Sequence, residues 1–324
     1  MSLAPMYATM LNWNLQDYTI ACVESLLKAG MPKEQIVIVD NGSTDDSVVA
    51  ISGRFGPALT LICNEQNVGF TGGMNIGIER ALALGAASVL LLNNDTIVDQ
   101  AMIDALLAAG ETLDKPDILG PAIYYYDNPD RLWWLGDVEH RWLPMPLTVR
   151  NIPSLSPFRV DYVTGCAMLV RREVFERIGL FDPRYFIYYE DADFCCRARD
   201  TGFSVWCVPQ AKMWHKISLT TQRDKPFFHY LRASNQIRFY HEHKIGPSPL
   251  LREGYIAFKM AKMLCDDLWH RDWSSIGALW RGIVDGYREQ WQRRTASTTL
   301  KGRHKDRSDS GPGSSKGTSQ RSQG

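Results

Sequence analysis

The strongest constraint on this chain is the spacing of its apolar runs over the first hundred residues. Residues 7–11, 36–39, 59–63 and 88–92 are short runs dominated by apolar side chains, and 36–39 (IVIV) is wholly β-branched. A strand that is apolar at every position suits a sheet covered by helices on both faces. Between these runs lie helical patterns. Asp17 is placed to cap a helix in which Ile20, Val23 and Leu27 recur at helical spacing. The turn and capping residues NGSTDD open a second helix through about Arg54, and residues 72–84 form a third. This alternation predicts an α/β fold with a mostly parallel, doubly wound sheet.

Beyond residue 120 the pattern changes. Residues 121–157 carry Tyr124, Tyr125, Tyr126, Trp133, Trp134 and Trp142, and five prolines fall between Pro121 and Pro153. This reads as an irregular, aromatic-rich segment. A strand is expected over 160–170 and a short helix over 172–178, stopped by Gly179. Residues 227–291 read as helical, with Ile276, Leu279, Trp280, Ile283, Val284 and Tyr287 on the helical period. The tail from 297 is polar and rich in Gly and Ser, and is expected to be disordered. The expected division is a catalytic domain over 1–245, a helical segment over 246–296 packed on or beside it, and the tail over 297–324.

Composition narrows the class. The 324 residues are 45% hydrophobic and 22% charged, with 36 basic and 36 acidic side chains. That is globular, and a zero balance gives no global attraction to nucleic acid. Seven cysteines with no C-x-x-C spacing argue against a zinc or redox motif and suit a reducing cytoplasm. Neither a signal peptide nor an apolar run of about 18 residues is visible, so a cytoplasmic location is expected.

Ligands of open parallel sheets bind outside the carboxyl ends of the strands. Four polar clusters fall there: Asn12 and Asn14, then Asp40-Asn41-Gly42-Ser43, then 64–73, then Asn93-Asn94-Asp95. Each alone could be helix caps and turns; four converging on one edge favour a binding cleft. The third contains NVGFTGGMN, whose glycines allow close backbone approach at a helix N-terminus that attracts phosphate. Its spacing is neither the dinucleotide fingerprint nor a P-loop, which counts against a dehydrogenase. Asp95 suits a hard-metal ligand or a cap for a helix beginning near Val98. In YYEDADF, Glu190, Asp191 and Asp193 crowd beside aromatics. Mutual repulsion and burial raise carboxyl pKa values, which makes a usable general base. Acids at a solvated helix N-terminus are the alternative, and Asp193 is spaced to pair with Arg197.

The segments VIVDNGSTDDSV, NVGFTGGMNIGI, LLLNNDT and TGCAMLVRREVFERIGLFDPRYFIYYEDADFCCRARDTGF resemble the family 2 glycosyltransferases over roughly residues 7–245. The similarity is greatest to rhamnosyltransferase-like and galactofuranosyltransferase-like members. It implies a GT-A fold and inverting transfer from a nucleoside-diphosphate sugar to a hydroxyl of a glycan or lipid-linked acceptor. A dTDP-rhamnose-like donor is expected first and a UDP-sugar second. By the resemblance, Asn14 and Asp40 contact the nucleotide, and 67–75, with Asn67, Gly69, Phe70, Gly73 and Asn75, lines the donor pocket. Asn41, Asn93 and Asn94 complete the donor set. Asp95 matches the last acid of an Asp-x-Asp motif whose first acid is Asn93 here, and His215 matches a histidine that joins the metal shell. These two are the expected ligands of Mg2+ or Mn2+. Asp191 matches the catalytic base, with Glu190 beside it. A nucleotidyltransferase or a non-catalytic sugar-binding module are the competing classes.

One further feature concerns partners. Trp269, Trp273, Trp280 and Trp291 are interleaved with Lys259, Lys262, Arg271, Arg281, Arg288, Arg293 and Arg294. Such a helix suits the plane of an anionic bilayer, implying peripheral contact at the inner membrane face. The alternative is that these tryptophans pack on the catalytic domain or a second subunit, since Ile276, Leu279, Ile283 and Val284 form a core stripe. Oligomeric state is left open.

Overall fold

The structure, a computed structural model, describes residues 3–113, 116–216 and 224–309, with side chains placed as far as Arg293. The amino-terminal half alternates as expected: β1 (Met6–Asn12), α1 (Gln16–Lys28), β2 (Ile36–Asp40), α2 (Ser47–Phe55), β3 (Thr60–Cys63), α3 (Gly69–Ala83) and β4 (Ser88–Leu92). Then follow β5 (Thr96–Val98), α4 (Met102–Thr112), β6 (Ile118–Tyr125), β7 (Leu132–Trp134), β8 (Asp137–Glu139), β9 (Pro146–Thr148), β10 (Phe158–Arg159) and β11 (Ala167–Arg171). The remainder is α5 (Arg172–Ile178), α6 (Glu190–Asp200), β12 (Val205–His215), α7 (Lys225–Glu242), α8 (Pro249–Trp269) and α9 (Trp273–Asp309).

The main sheet has the order β10-β12-β6-β11-β4-β1-β2-β3. Its β3-β2-β1-β4 half is parallel, while β11 runs antiparallel to both β4 and β6, so the whole is mixed. The continuous apolar runs are explained by two cores. On β2, Val37 faces one core while Ile36 and Ile38 face the other. On β4, Val89 and Leu91 oppose Leu90 and Leu92 in the same way. Helix α3 sits directly on the sheet at Gly77, where a Cβ would collide with the Thr9 hydroxyl.

Five expectations are corrected. Asp17 lies in the first turn of α1, whose cap position is Leu15. No helix begins near Val98: residues 96–98 are β5, paired with β12, so Asp95 is not a helix cap. The stretch 160–170 is not one strand, since β11 begins only at Ala167. The aromatic segment contains β6 and three short strands, and β12 is an additional element. The tail expected to be disordered from 297 is helical as far as Asp309, and 310–324 lies outside the described residues.

The carboxy-terminal helices are tied to the rest by close crossings. Gly282 and Gly286 bring α9 against α7, since a Cβ at either would press on Tyr230, Ala233 or Ile237. Arg238 on α7 binds Glu289 on α9 through paired bonds of 2.6 and 3.0 Å. His229 on α7 bonds the fully buried Asp267 of α8 at 2.9 Å.

The Gly77 contact yields a stability test. Gly77→Ala overpacks the α3–β1 interface and should cost about 1–3 kcal/mol. Gly53→Ala, on exposed α2 with nothing within 4 Å of its new Cβ, should be neutral or stabilising. Urea titration with unchanged slope reads both; equal midpoints for the two variants would refute the close packing.

Candidate functional site

Strand register brings the polar clusters to one edge. Asn12 aligns with Asp40, and Asp40 with Cys63, at the carboxyl ends of β1, β2 and β3. Ala167 aligns with Leu92, so the turn before antiparallel β11 (Thr164, Gly165, Cys166) reaches the same edge. His215, at the end of β12, pairs with Thr96 and therefore lies next to Asp95.

A buried hydrogen-bond chain fixes this edge. Asn94 Nδ2 donates to Thr19 Oγ1 at 2.8 Å, Thr19 Oγ1 to Asn12 Oδ1 at 2.7 Å, and Asn12 Nδ2 to Asp40 Oδ2 at 2.7 Å. Asp40 also accepts from the Ser43 amide and hydroxyl. Asn14, at φ 54°, accepts from the Thr44 amide at 2.8 Å. Asn41 binds across to Asn67 and to the Gly69 carbonyl, both at 3.0 Å, and accepts from Asn64.

A cavity of about 650 Å3 opens over this edge. Of the expected donor-side residues, Asn41, Asn67, Gly69, Phe70, Asn93 and Asn94 line it. Asn14, Asp40, Gly73 and Asn75 do not. Asp40 is buried in the hydrogen-bond chain, and a Cβ on Gly73 would press on Leu11. Asn75 clamps the Phe181 backbone through its amide nitrogen at 2.9 Å and its oxygen at 3.1 Å. The lining also includes Trp133 of the aromatic segment and Phe186, and it includes Trp13, Thr164, Phe227 and Arg232, which sequence reading did not single out. Thr164 lay inside a motif that was recognised, whereas Arg232 sits on a helix legible only as a periodic pattern.

Asp95 and His215 meet in this cavity, with Asp95 Oδ1 3.2 Å from His215 Nε2. Neither Asp95 Oδ1 nor His215 Nδ1 makes a hydrogen bond, although both atoms are buried. The His215 ring rests on Trp133 at 4.8 Å between centroids. Such orphaned buried acceptors fit a cation, as does the mixed carboxylate–imidazole set. A second acidic group, Asp182, Asp193 and Glu242, has carboxylates close enough to share an ion. Its members are already engaged by Arg184, Arg197 and His243, so their charge is neutralised within the protein.

The acid pair sits at the start of α6. Tyr188 and Tyr189 both have positive φ, 73° and 71°, which turns the chain sharply just before Glu190. Asn235 on α7 holds this turn, donating to the carbonyls of Ile187 and Tyr188 at 2.9 and 3.1 Å. Asp191 accepts from the amides of Gly165 and Ala192 at 2.9 and 2.8 Å. Burial raises the Asp191 carboxyl above its ordinary range, opposed by these backbone donors. Glu190 is buried with one oxygen unpartnered, and burial followed by the Asp191 charge pushes its carboxyl well up. Asp193 pairs with Arg197 at 2.7 Å. A second cavity, about 670 Å3, lies on the other side, and Asp191 lines both.

Comparison with known proteins identifies the family and the fold. The family model described as "Glycosyltransferase like family 2" matches residues 4–235. The N-acetylglucosaminyl-diphospho-decaprenol L-rhamnosyltransferase of Mycobacterium tuberculosis is 29% identical over 219 residues, covering 58% of this chain and 68% of its own. A dTDP-rhamnosyl transferase of Shigella flexneri is 27% identical over 191 residues, covering 57% of this chain and 62% of its own. A mannosyltransferase from Pyrobaculum calidifontis, solved in complex with GDP-Man and Mn2+, is similar in fold, with a TM-score of 0.53 and 14% identity. That likeness covers 87% of this chain and 86% of the other. The chain belongs to the family 2 glycosyltransferases and is a glycosyltransferase with a GT-A fold.

Proposed function

We propose that this enzyme moves a sugar from a nucleoside-diphosphate donor to a hydroxyl of a lipid-linked acceptor, with inversion, and that Asp191 is the base. The supporting observation is the place of Asp191 on the wall shared by two cavities, one for each substrate. The acceptor oxygen attacks the anomeric carbon, the bond from that carbon to the diphosphate breaks, and the acceptor proton passes to Asp191. One in-line displacement needs no second carboxylate as nucleophile. The two acids divide the work by environment. Asp191 has backbone donors that favour its charged form, whereas Glu190 has an unpartnered buried oxygen that favours its neutral form. A carboxylate raised by burial is also a stronger base near neutral pH. Asp191→Asn should therefore cost about 10²–10⁴-fold in transfer, while nucleotide affinity measured by calorimetry stays within twofold. Turnover like that of the unmodified enzyme would remove Asp191 from this role.

Asp95 and His215 would hold a divalent cation, Mg2+ or Mn2+. Such an ion neutralises charge on the departing diphosphate. The residues of 41–95 that line the first cavity would seat the nucleotide, with a dTDP-sugar as first choice and a UDP-sugar second. This order follows the Shigella relative, whose name specifies a dTDP-rhamnosyl transferase. Calorimetry with dTDP, UDP and GDP, each with and without Mn2+, tests both points. Binding should be Mn2+-dependent in the native chain and lose that dependence in Asp95→Ala and His215→Ala. Tightest binding of GDP, or full Mn2+ dependence in both variants, would contradict the assignment.

The acceptor class follows the Mycobacterium relative, whose name specifies a diphospho-decaprenol substrate. Among the described residues no helix is long and apolar enough to cross a membrane. The carboxy-terminal tryptophans do not pack on the catalytic domain: Trp269, Trp273, Trp280 and Trp291 are 86%, 70%, 67% and 66% exposed. Val284 is likewise exposed, and only Leu279 of the expected core stripe is fully buried. Exposed Lys262, Arg271, Arg281 and Arg288 lie on or between the same helices, which suits an anionic bilayer surface. The full chain should co-sediment with phosphatidylglycerol vesicles at low salt and be released by high salt. Combined Trp273→Ser, Trp280→Ser and Trp291→Ser should stay in the supernatant. Equal sedimentation of the two proteins would end the proposal.

A further inference from the structure

The second cavity carries cations that the chemistry above does not use. Arg232 on α7 and Lys259 and Lys262 on α8 all line it, as does Asp191. Among the described residues none of the three has a carboxylate within salt-bridge distance. Arg232 reaches only Tyr188, through a bond of 3.2 Å to its hydroxyl and a stacked ring at 4.6 Å. Burial, then the charges of Lys262 and Arg232, lowers the pKa of the Lys259 ammonium. The one carboxylate nearby on α8 that lines the cavity, Asp266, lies 3.6 Å from His270 instead. Asp137, Glu139, Asp191 and Asp266 line the same cavity without bridging these three cations, so an anion of two or more charges finds their charge-assisted bonds still to be made.

The same cavity is lined by two buried polar groups, each with an unpartnered atom. Gln236 is 2% exposed and its Nε2 has no partner; Asp137 is 7% exposed and its Oδ1 has none. Leaving such groups unsatisfied costs about 1–3 kcal/mol each unless a ligand or water fills them. A donor and an acceptor in one cavity with these cations match a hydroxyl-bearing ring attached to a diphosphate.

We propose that Arg232, Lys259 and Lys262 bind the diphosphate that joins the acceptor sugar to its lipid, while Gln236 and Asp137 take hydroxyls of that sugar. This rests on the lipid-linked acceptor reading. A bilayer headgroup offers similar anionic chemistry, but it does not reach the buried Gln236 and Asp137.

The test uses the full chain with its first cavity saturated by dTDP or UDP. Inorganic pyrophosphate and geranyl diphosphate are titrated by calorimetry into the native protein and into Lys259→Gln/Lys262→Gln. The native protein should bind both, geranyl diphosphate more tightly, and the double variant should bind each at least tenfold more weakly. Lys259→Arg/Lys262→Arg should retain binding, which separates charge from folding. Unchanged pyrophosphate affinity in the glutamine variant overturns the proposal. So does pyrophosphate binding that disappears once nucleotide is present, since the anion then occupies the first cavity. If the glutamine changes abolish sedimentation with phosphatidylglycerol vesicles and leave diphosphate binding intact, the cluster is a headgroup contact and the proposal fails. Failure of dTDP and UDP to bind at all would instead refute the donor reading; this site is then judged by the variants' pyrophosphate affinities alone.

Discussion

The site depends first on the buried chain of hydrogen bonds from Asn94 through Thr19 and Asn12 to Asp40 and Ser43. It links the ends of β4, β1 and β2 and the start of α1, which together form one wall of the first cavity. Each such bond contributes only about 0.5–1.5 kcal/mol net, yet a buried member left without its partner costs about 1–3 kcal/mol. The chain is therefore close to all-or-none, and it fixes the positions of three loops together. Asp40 and Asn41 show the division of labour. Asp40 is consumed in holding the edge, while Asn41 braces the glycine-rich turn and still borders the cavity.

The reactive groups reach this edge from a different part of the chain. Antiparallel β11 enters beside β4, so the turn before it presents the Gly165 amide to Asp191. Strand β12 is longer than its neighbours and carries His215 past the sheet to Asp95. The acid pair is thus held by backbone donors on one side and by α7, through Asn235, on the other. Two cavities then share the Asp191 carboxylate, the arrangement that the proposed displacement needs.

What was legible in the sequence follows from burial. Strands covered on both faces, such as 36–40 and 88–92, announce themselves as unbroken apolar runs. The motifs around 40, 67, 95 and 191 were legible because their residue types are set by chemistry. Strand β6 was hidden because Pro121 interrupts its pattern. In the structure Pro121 sits beside a register shift between Val208 and Lys212, where a missing N–H is tolerated. The same irregularity, with Pro209 inside it, concealed β12. Of the second cavity, the aromatic segment with Trp133 and Trp134, Asp191 and the lysines of α8 stood out in the sequence, whereas Asp137 and Gln236 come from distant elements and belong to no local pattern.

The paired left-handed tyrosines set fold against function. A non-glycine residue at positive φ costs of order 1–3 kcal/mol, and Tyr188 and Tyr189 do so in succession. Glycine at either position would relax the backbone, yet it would remove a ring that borders both cavities and loosen the turn aiming Asp191. Selection for a sturdier enzyme therefore pulls this dipeptide one way and selection for turnover pulls it the other, so thermostabilised descendants would have to gain their stability elsewhere in the molecule.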